Sequence, residues 1–319
     1  MKKERYQAAS GVWLYNLSMN KSITDSAAAR TAYLGGLGIA VGGAVLFSTK
    51  AIVAKLLYRY QIDAVTLIAF RMIFSLPVFA AVAIWKMRTE APLSSSDRWR
   101  LVGLGLVGYY LSSFLDFLGL QYISVGLERL ILFLTPTFVL LISSTLLKQH
   151  ISRKQWLALL TSYCGIVFVF LHDLRGGGNV VLGATLVTGS AAAYAVYLLL
   201  SGEMVKRLGA LRLVSYAMCV SSAACIGQFF LLRPVSGLIQ PLPVYGLSLV
   251  NGLLCTVMPV FMTMAAVERI GAGTASQAGM IGPVSTLFLG ALLLGEPVTS
   301  WQLGGTALVL AGIYVLSKK

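Results

Sequence analysis

Apolar residues run along this chain in long blocks, and polar residues fall mostly between them. An α-helix rises 1.5 Å per residue, so roughly 20 apolar residues cross about 30 Å of hydrocarbon. Ten segments meet that length: about 34–57, 65–85, 101–120, 125–147, 155–171, 180–201, 213–232, 244–266, 272–294 and 301–317. These runs are too long and too evenly apolar for the alternating strands of a membrane barrel. The connections are short, which predicts antiparallel neighbours. The pattern predicts an all-α integral membrane protein of ten transmembrane helices.

Composition supports lipid as the solvent. The 319 residues are 57% hydrophobic and 11% charged, against about 25% charged in soluble domains. The net charge of +14 would suggest a nucleic-acid partner in a soluble protein, but no basic stripe interleaved with aromatics occurs here, so no nucleic-acid binding is expected. The charge instead reports orientation. With the N-terminus in the cytoplasm, the inner segments carry 18 Lys and Arg, and the outer loops carry only Arg59, Arg175 and Arg233. Short loops rich in Lys and Arg stay inside, so both termini are expected in the cytoplasm and the chain in the plasma (inner) membrane. Residues 1–33 read as a polar cytoplasmic tail without the features of a signal peptide. Met19 offers an alternative start.

An internal repeat appears when the chain is slid by 147 residues. Gly126 falls on Gly273, Pro136 on Pro283, Gln155 on Gln302, and Gly165-Ile166 on Gly312-Ile313. The register holds without a gap from about 121 to 171. A unit of five spans is odd, so the second copy is inverted relative to the first. Inverted repeats about an axis in the membrane plane are a transporter device, with the solute site between the halves near the midplane.

The two matching segments, QYISVGLERLILFLTPTFVLLIS with its continuation to GIVFVF, and ERIGAGTASQAGMIGPVSTLFLGALLLGEPVTSWQ with its continuation to GIYVL, resemble the EamA repeat of the drug/metabolite transporter superfamily. Gly295-Glu296-Pro297 matches an element of that repeat, and Lys148-Gln149-His150 departs from it in the first copy. The opening span, with AVLFSTKAIVAKLL, resembles the first helix of the family, and Arg71 falls where members carry an Arg. The resemblance covers about residues 34–317. It implies two inverted five-helix EamA repeats, 34–171 and 180–319. It also implies a permease, often an exporter of amino acids or other metabolites, aromatic amino acids included. Related branches move nucleotide sugars and sugar phosphates.

Charges within the spans are the first candidates for chemistry, because each costs at least about 2.5–3.5 kcal/mol at mid-helix. Lys50, Arg71, Asp116, Glu128 and Arg129 all fall in the outer half of the first repeat. Three positive charges against two negative leave one cation for a substrate carboxylate or phosphate. Lys50 is the expected free cation, and Asp116 the expected proton carrier or ammonium partner. Arg71, Glu128 and Arg129 are candidates for ion pairing or coupling. Structural pairing of Arg71 with Asp116, and of Glu128 with Arg129 or Lys50, stays open.

Gly105, Tyr109, Ser112, Asp116 and Gly119 share one helix face, which either packs closely on a neighbour or lines a cavity. Tyr109 beside Asp116 suits an aromatic or cationic solute. Asn251 and Gln277 are further substrate-binding candidates, with Tyr194 and Tyr197 beside them, and Met258, Met262 and Met264 form a flexible apolar group. Pro136 and Pro283, each mid-helix, are candidate hinges.

Other patterns carry no chemistry. Gly103–Gly108 fits GxGxxG but lies inside a span with no preceding strand. The four cysteines sit in apolar runs without a CxxC pair, and His150 and His172 lack metal-ligand spacing. No ATPase motif occurs. The expectation is a non-enzymatic secondary transporter without cofactor or metal, probing a small-molecule substrate from within the lipid bilayer by alternating access. Zwitterionic or anionic metabolites such as amino acids lead. A passive channel and an exporter of cationic amphiphiles are the alternatives, and monomer against homodimer is left open.

Overall fold

The computed structural model describes residues 31–146, 152–174 and 178–317; side chains at 146, 154, 158, 272, 273, 276, 277, 313 and 315–317 lie outside that description. Among the described residues every regular element is helical. Eight helices are long and apolar enough to cross a membrane: α1 (Thr31–Tyr58), α2 (Ala64–Thr89), α3 (Ser95–Leu120), α4 (Val125–Thr145), α5 (Gln155–Leu174), α6 (Val180–Leu208), α7 (Ala210–Leu232) and α8 (Leu242–Gly271). Two shorter apolar helices follow, α9 (Ile281–Leu294) and α10 (Ser300–Ser317). The expected span 272–294 is interrupted. The chain swings through Gly271 at φ 78°, runs helically over 272–279 and turns at Met280 before α9.

Local chemistry sets these boundaries. Asp63, Ser94 and Ser124 each stand at a helix N-cap, and their side-chain oxygens accept the N–H of Thr66, Asp97 and Leu127, donors that the first helical turn otherwise leaves unmatched. Gly209, at φ 77°, is the whole link between α6 and α7. Gly295 closes α9 in the left-handed region at φ 71° and ψ 19°, a conformation glycine adopts without a Cβ penalty. The next residue in the Gly-Glu-Pro run, Glu296, lies near Val125 at the start of α4. Burial pushes its carboxyl up, and the Lys55 charge opposes that shift.

Helices pair across the repeat boundary. The most extensive packing joins α5 to α10 and α2 to α7, which are counterparts in the two halves. At the first of these seams Gly165 and Gly305 meet: a Cβ on either would lie 2.5 Å from the carbonyl oxygen of the other, so only glycine permits this approach. The α3–α7 contact is mirrored by α8–α2, and α4 packs on its own counterpart α9. One core, containing Leu57, Phe79, Phe117 and Met218, fills the space between α1, α2, α3 and α7.

Two helices depart from α geometry at matching places. A π turn spans Leu106–Leu111 in α3, and another spans Leu253–Val257 in α8. Their first residues are 147 apart, the offset of the sequence repeat. α4 breaks at residues 133–134, and Pro136 follows at once. Proline leaves the carbonyl four residues back without its usual donor, and the Thr135 hydroxyl fills that role by donating to Leu132 O at 2.7 Å. The turn at Met280, before Pro283, sits at the equivalent point of the second half. The departure at Lys148–His150 lies outside the described residues.

Candidate solute-binding site

A cavity of about 570 Å³ lies between the two halves, bounded by α1, α2, α3, α4, α6, α7, α8 and the stretch leading into α9. That volume suits a small organic solute. Lys50, Arg71, Tyr109, Asp116, Arg129 and Pro136 line it.

The charges are arranged as follows. Lys50 Nζ donates to Asp116 Oδ2 at 2.6 Å, with both side chains buried. The ammonium also lies 5.1 Å from the centre of the Phe47 ring and 5.2 Å from that of Phe117, within cation–π range. Lys50 is therefore not the free cation expected from sequence. Its aliphatic stem carries the ammonium from α1 to α3, and the carboxylate there compensates the loss of water. Asp116 pairs with Lys50 and not with Arg71.

The excess positive charge rests on the two arginines. Arg71 is buried; its Nε donates to Thr256 Oγ1 at 2.7 Å, one Nη donates to Ser113 Oγ at 3.4 Å, and its guanidinium stacks 5.1 Å from the Phe117 ring. Hydroxyls are its only hydrogen-bond partners among the described residues. Arg129 donates to Thr286 Oγ1 at 3.3 Å and Phe47 O at 3.1 Å, and its ring contact is also with Phe47. Its nearest carboxylate oxygen is that of Glu128, at 4.0 Å. Glu128 itself lies behind the cavity wall, 0% exposed, and neither of its oxygens meets a donor among the described residues.

The helix-3 face divides its labour. Gly105 and Gly119 are packing positions, where a Cβ would lie 2.8 Å from Ala217 O and 2.7 Å from Gly183 O. Tyr109, Ser112 and Asp116 reach the cavity. Tyr109 Oη lies 3.2 Å from Tyr197 Oη, and its ring packs edge-on against Tyr194 and Tyr197, which stack on each other. Ser112 Oγ and Ser190 Oγ are 3.1 Å apart.

Asn251 does not join the cavity wall. It is fully buried where α8 packs on α2, and its backbone carbonyl accepts the Thr256 hydroxyl at 2.8 Å across the π turn. The extra residue of that turn rotates the helix, so Thr256 and not Asn251 faces the solute space. The Gln277 side chain lies outside the described residues, and Pro283 is buried beside the wall. Met258, Met262 and Met264 are not wall residues; Met262 packs on Gly42 and Gly43 of α1.

Sequence reasoning missed Phe47, Ser113, Thr256 and Thr286, which hold the cations. Phe47 stands one helical turn before Lys50. Thr256 stands 147 residues after Tyr109, so the repeat offset pointed to it.

The model of the EamA-like transporter family matches this chain twice, over residues 34–171 and 181–318. The chain belongs to the EamA-like transporter family. It is similar to the uncharacterized transporter YcbK of Bacillus subtilis (strain 168), with 30% identity over 286 residues, 85% of this chain and 90% of that protein. An uncharacterized transporter of Archaeoglobus fulgidus is 25% identical over 258 residues, covering 81% of this chain and 90% of its own. A solved crystal structure superposes with a TM-score of 0.62 at 17% identity, over 88% of this chain and 96% of that one, a likeness of fold alone. The chain is thus a multi-pass membrane protein of the drug/metabolite transporter superfamily with two EamA repeats, and its relatives are named as transporters, not enzymes.

Proposed function

We propose that this EamA protein is a secondary carrier that exports small anionic or zwitterionic metabolites, amino acids first among them, by alternating access. The observation that carries this reading is the charge balance of the cavity: three buried cations face two buried carboxylates, and the two arginines are held largely by hydroxyls and ring faces. An ionised group out of water needs a counter-charge, and a solute carboxylate or phosphate supplies one. Arg71 and Arg129 take the anionic group, with the guanidinium fork suited to a planar carboxylate. Tyr109 and Tyr194 take an apolar or aromatic side chain. Lys50 and Asp116 form the fixed pair between them.

On this reading the chain spans the plasma membrane ten times, as two inverted five-helix halves, 34–171 and 180–319, with both termini in the cytoplasm. The cavity then runs from the charge cluster toward the cytoplasmic ends of α1 and α8. Arg59, at the outer end of α1, donates to Leu294 O at 3.0 Å and ties the outer side shut. The breaks beside Pro136 and Pro283 act as hinges for rocking between the two accesses.

A thermal-shift panel on purified protein tests this, with amino acids, sugar phosphates, nucleotide sugars and quaternary amines against wild type and Arg71→Ala. A ligand at 100 times its Kd stabilises by about 2.7 kcal/mol. One anionic or zwitterionic class is expected to stabilise wild type and not the variant. Preferential stabilisation by quaternary amines would overturn the anion reading. Saturable counterflow of the same class in proteoliposomes is expected, and strictly linear flux would replace the carrier by a channel.

A further inference from the structure

Behind the cavity wall lies a carboxyl that the charge balance alone does not explain. Glu128 is 0% exposed, and both of its oxygens lack a donor among the described residues. Arg129 Nε stands 4.0 Å away, beyond hydrogen-bond distance, and is turned to Thr286. An ionised carboxylate in that position has lost water and gained no hydrogen bond in its place, only the Arg129 charge at 4.0 Å; a proton supplies what is missing. The side chain on its other side is Asp116, close enough for a hydrogen bond when one of the two carboxyls is protonated. Asp116 has one oxygen to offer: Oδ2 is taken by Lys50, and Oδ1 is buried without a donor. Two ionised carboxylates are acceptors only, so one added proton engages two of the three orphaned oxygens, Asp116 Oδ1 and one oxygen of Glu128.

We propose that Asp116 and Glu128 share a single proton, held on Glu128 and donated to Asp116 Oδ1, and that this pair is the carrier's proton-binding site. With the proton in place, Lys50, Arg71 and Arg129 face one negative charge; without it, they face two. The protonated pair therefore attracts an anionic solute more strongly. Proton and anion bind together, and by linkage each raises the affinity for the other. A monoanion that crosses with this proton carries no net charge, so its movement is indifferent to the membrane potential. The coupling role rests on the transport reading above; the proton site does not.

The remaining charged groups around Glu128 are few. α1 contributes Lys50 and Lys55, α3 Asp116, α4 Arg129 and α5 Asp173, with Glu296 in the loop after α9. α9 and α10 carry no charged side chain, and α6 carries none before Glu203. Lys55 is shared with Glu296 and Asp173, so it does not serve Glu128 alone.

Infrared spectroscopy of the full-length protein in lipid reads the proton without any solute. Wild type at neutral pH is expected to show the C=O stretch of a protonated carboxylic acid, which disappears at alkaline pH. Glu128→Gln is expected to lack the band and to keep the wild-type melting temperature, because it replaces one neutral side chain by another. Asp116→Asn is expected to lose the band at neutral pH, since Glu128 then ionises against Lys50. Glu90→Gln, at the far end of α2, leaves it unchanged. No band in wild type at neutral pH, or a band that survives Glu128→Gln, overturns the proposal. Intact band behaviour in a protein that moves no solute would sink the transport reading and leave the proton site standing.

Discussion

The two walls of the cavity come from repeated units, yet they are chemically unlike. Lining residues pair across the 147-residue offset: Phe47 with Tyr194, Arg71 with Met218, Tyr109 with Thr256, Asp116 with Thr263, and Phe133 with Met280. Lys50, at the centre of the charge cluster, corresponds to Tyr197. Shape is therefore nearly symmetric, and charge is not. Every charged group on the wall belongs to the first half, and the second half answers with hydroxyls, two thioethers and rings. On the proposed alternating-access reading, a symmetric shape lets the two halves exchange roles. If the solute is an anion, as proposed, one-sided charge keeps it with the first half throughout, while the neutral half slides over the rest of the solute.

Removing the charge from the first wall tests this contrast hardest. Lys50→Met leaves Asp116 buried without its cation, and breaking a buried pair from one side costs about 3–5 kcal/mol. A large fall in melting temperature is expected. The double variant Lys50→Met, Asp116→Leu is expected to recover most of it, since apolar replacement of both partners is near neutral. Equal losses in single and double variants would show that the pair is not the source of the effect.

Arg71→Met gives the first wall the residue that its counterpart already has. Loss of a buried charge contact to a bound solute costs about 2–5 kcal/mol, so the Kd of an anionic solute is expected to rise at least about 30-fold in titration calorimetry. An unchanged Kd would move the anion site to Arg129. Thr256→Val acts from the neutral wall, where it removes the acceptor of Arg71 Nε. A lost hydrogen bond to a charged group costs about 1.5–3 kcal/mol, to be read as a stability change in thermal melts. A neutral result would mean that Arg71 finds a replacement partner.

The smallest effect lies away from both walls. Glu90 accepts from Lys86 at 2.7 Å and pairs with Arg212 at 3.1 Å, and the Lys86 hydrogen bond first, then the nearby charges, hold its carboxyl below the usual range. Its folded value is depressed, so its contribution is present above the ordinary carboxylate range and fades as pH falls through the depressed value. A slight convergence of wild type and Glu90→Gln melting temperatures on acidification is expected. Divergence on acidification would reverse the sign of the argument.

The fold was legible because lipid imposes a simple rule on sequence. Apolar length marked the helices, and the pairing of Pro136 with Pro283 and of Gln155 with Gln302 marked the repeat. The break at Met280 was not legible, since it falls inside the stretch 272–294 that reads as one span, whereas Gly271 falls in the short link before it. At the site, the charged residues announced themselves by their cost in a membrane. Their pairing did not, because it depends on which helix faces which. Lys50 reaches Asp116 across two helices, while Arg71, at much the same depth, turns to α8. Asn251 misled because polarity within a span marks a candidate without showing its face, and here that face is buried where α8 packs on α2.

Those two π turns also carry a date. An extra residue at the same register in α3 and α8 is most simply one insertion, inherited by both copies from the single unit that preceded duplication. The charges, confined to one copy, changed after the copies parted. The ancestral unit thus already had its bent third helix, and two such units facing each other enclosed a cavity with identical walls. The charge asymmetry was written later, on one wall alone, over a frame of matching shape that was already in place.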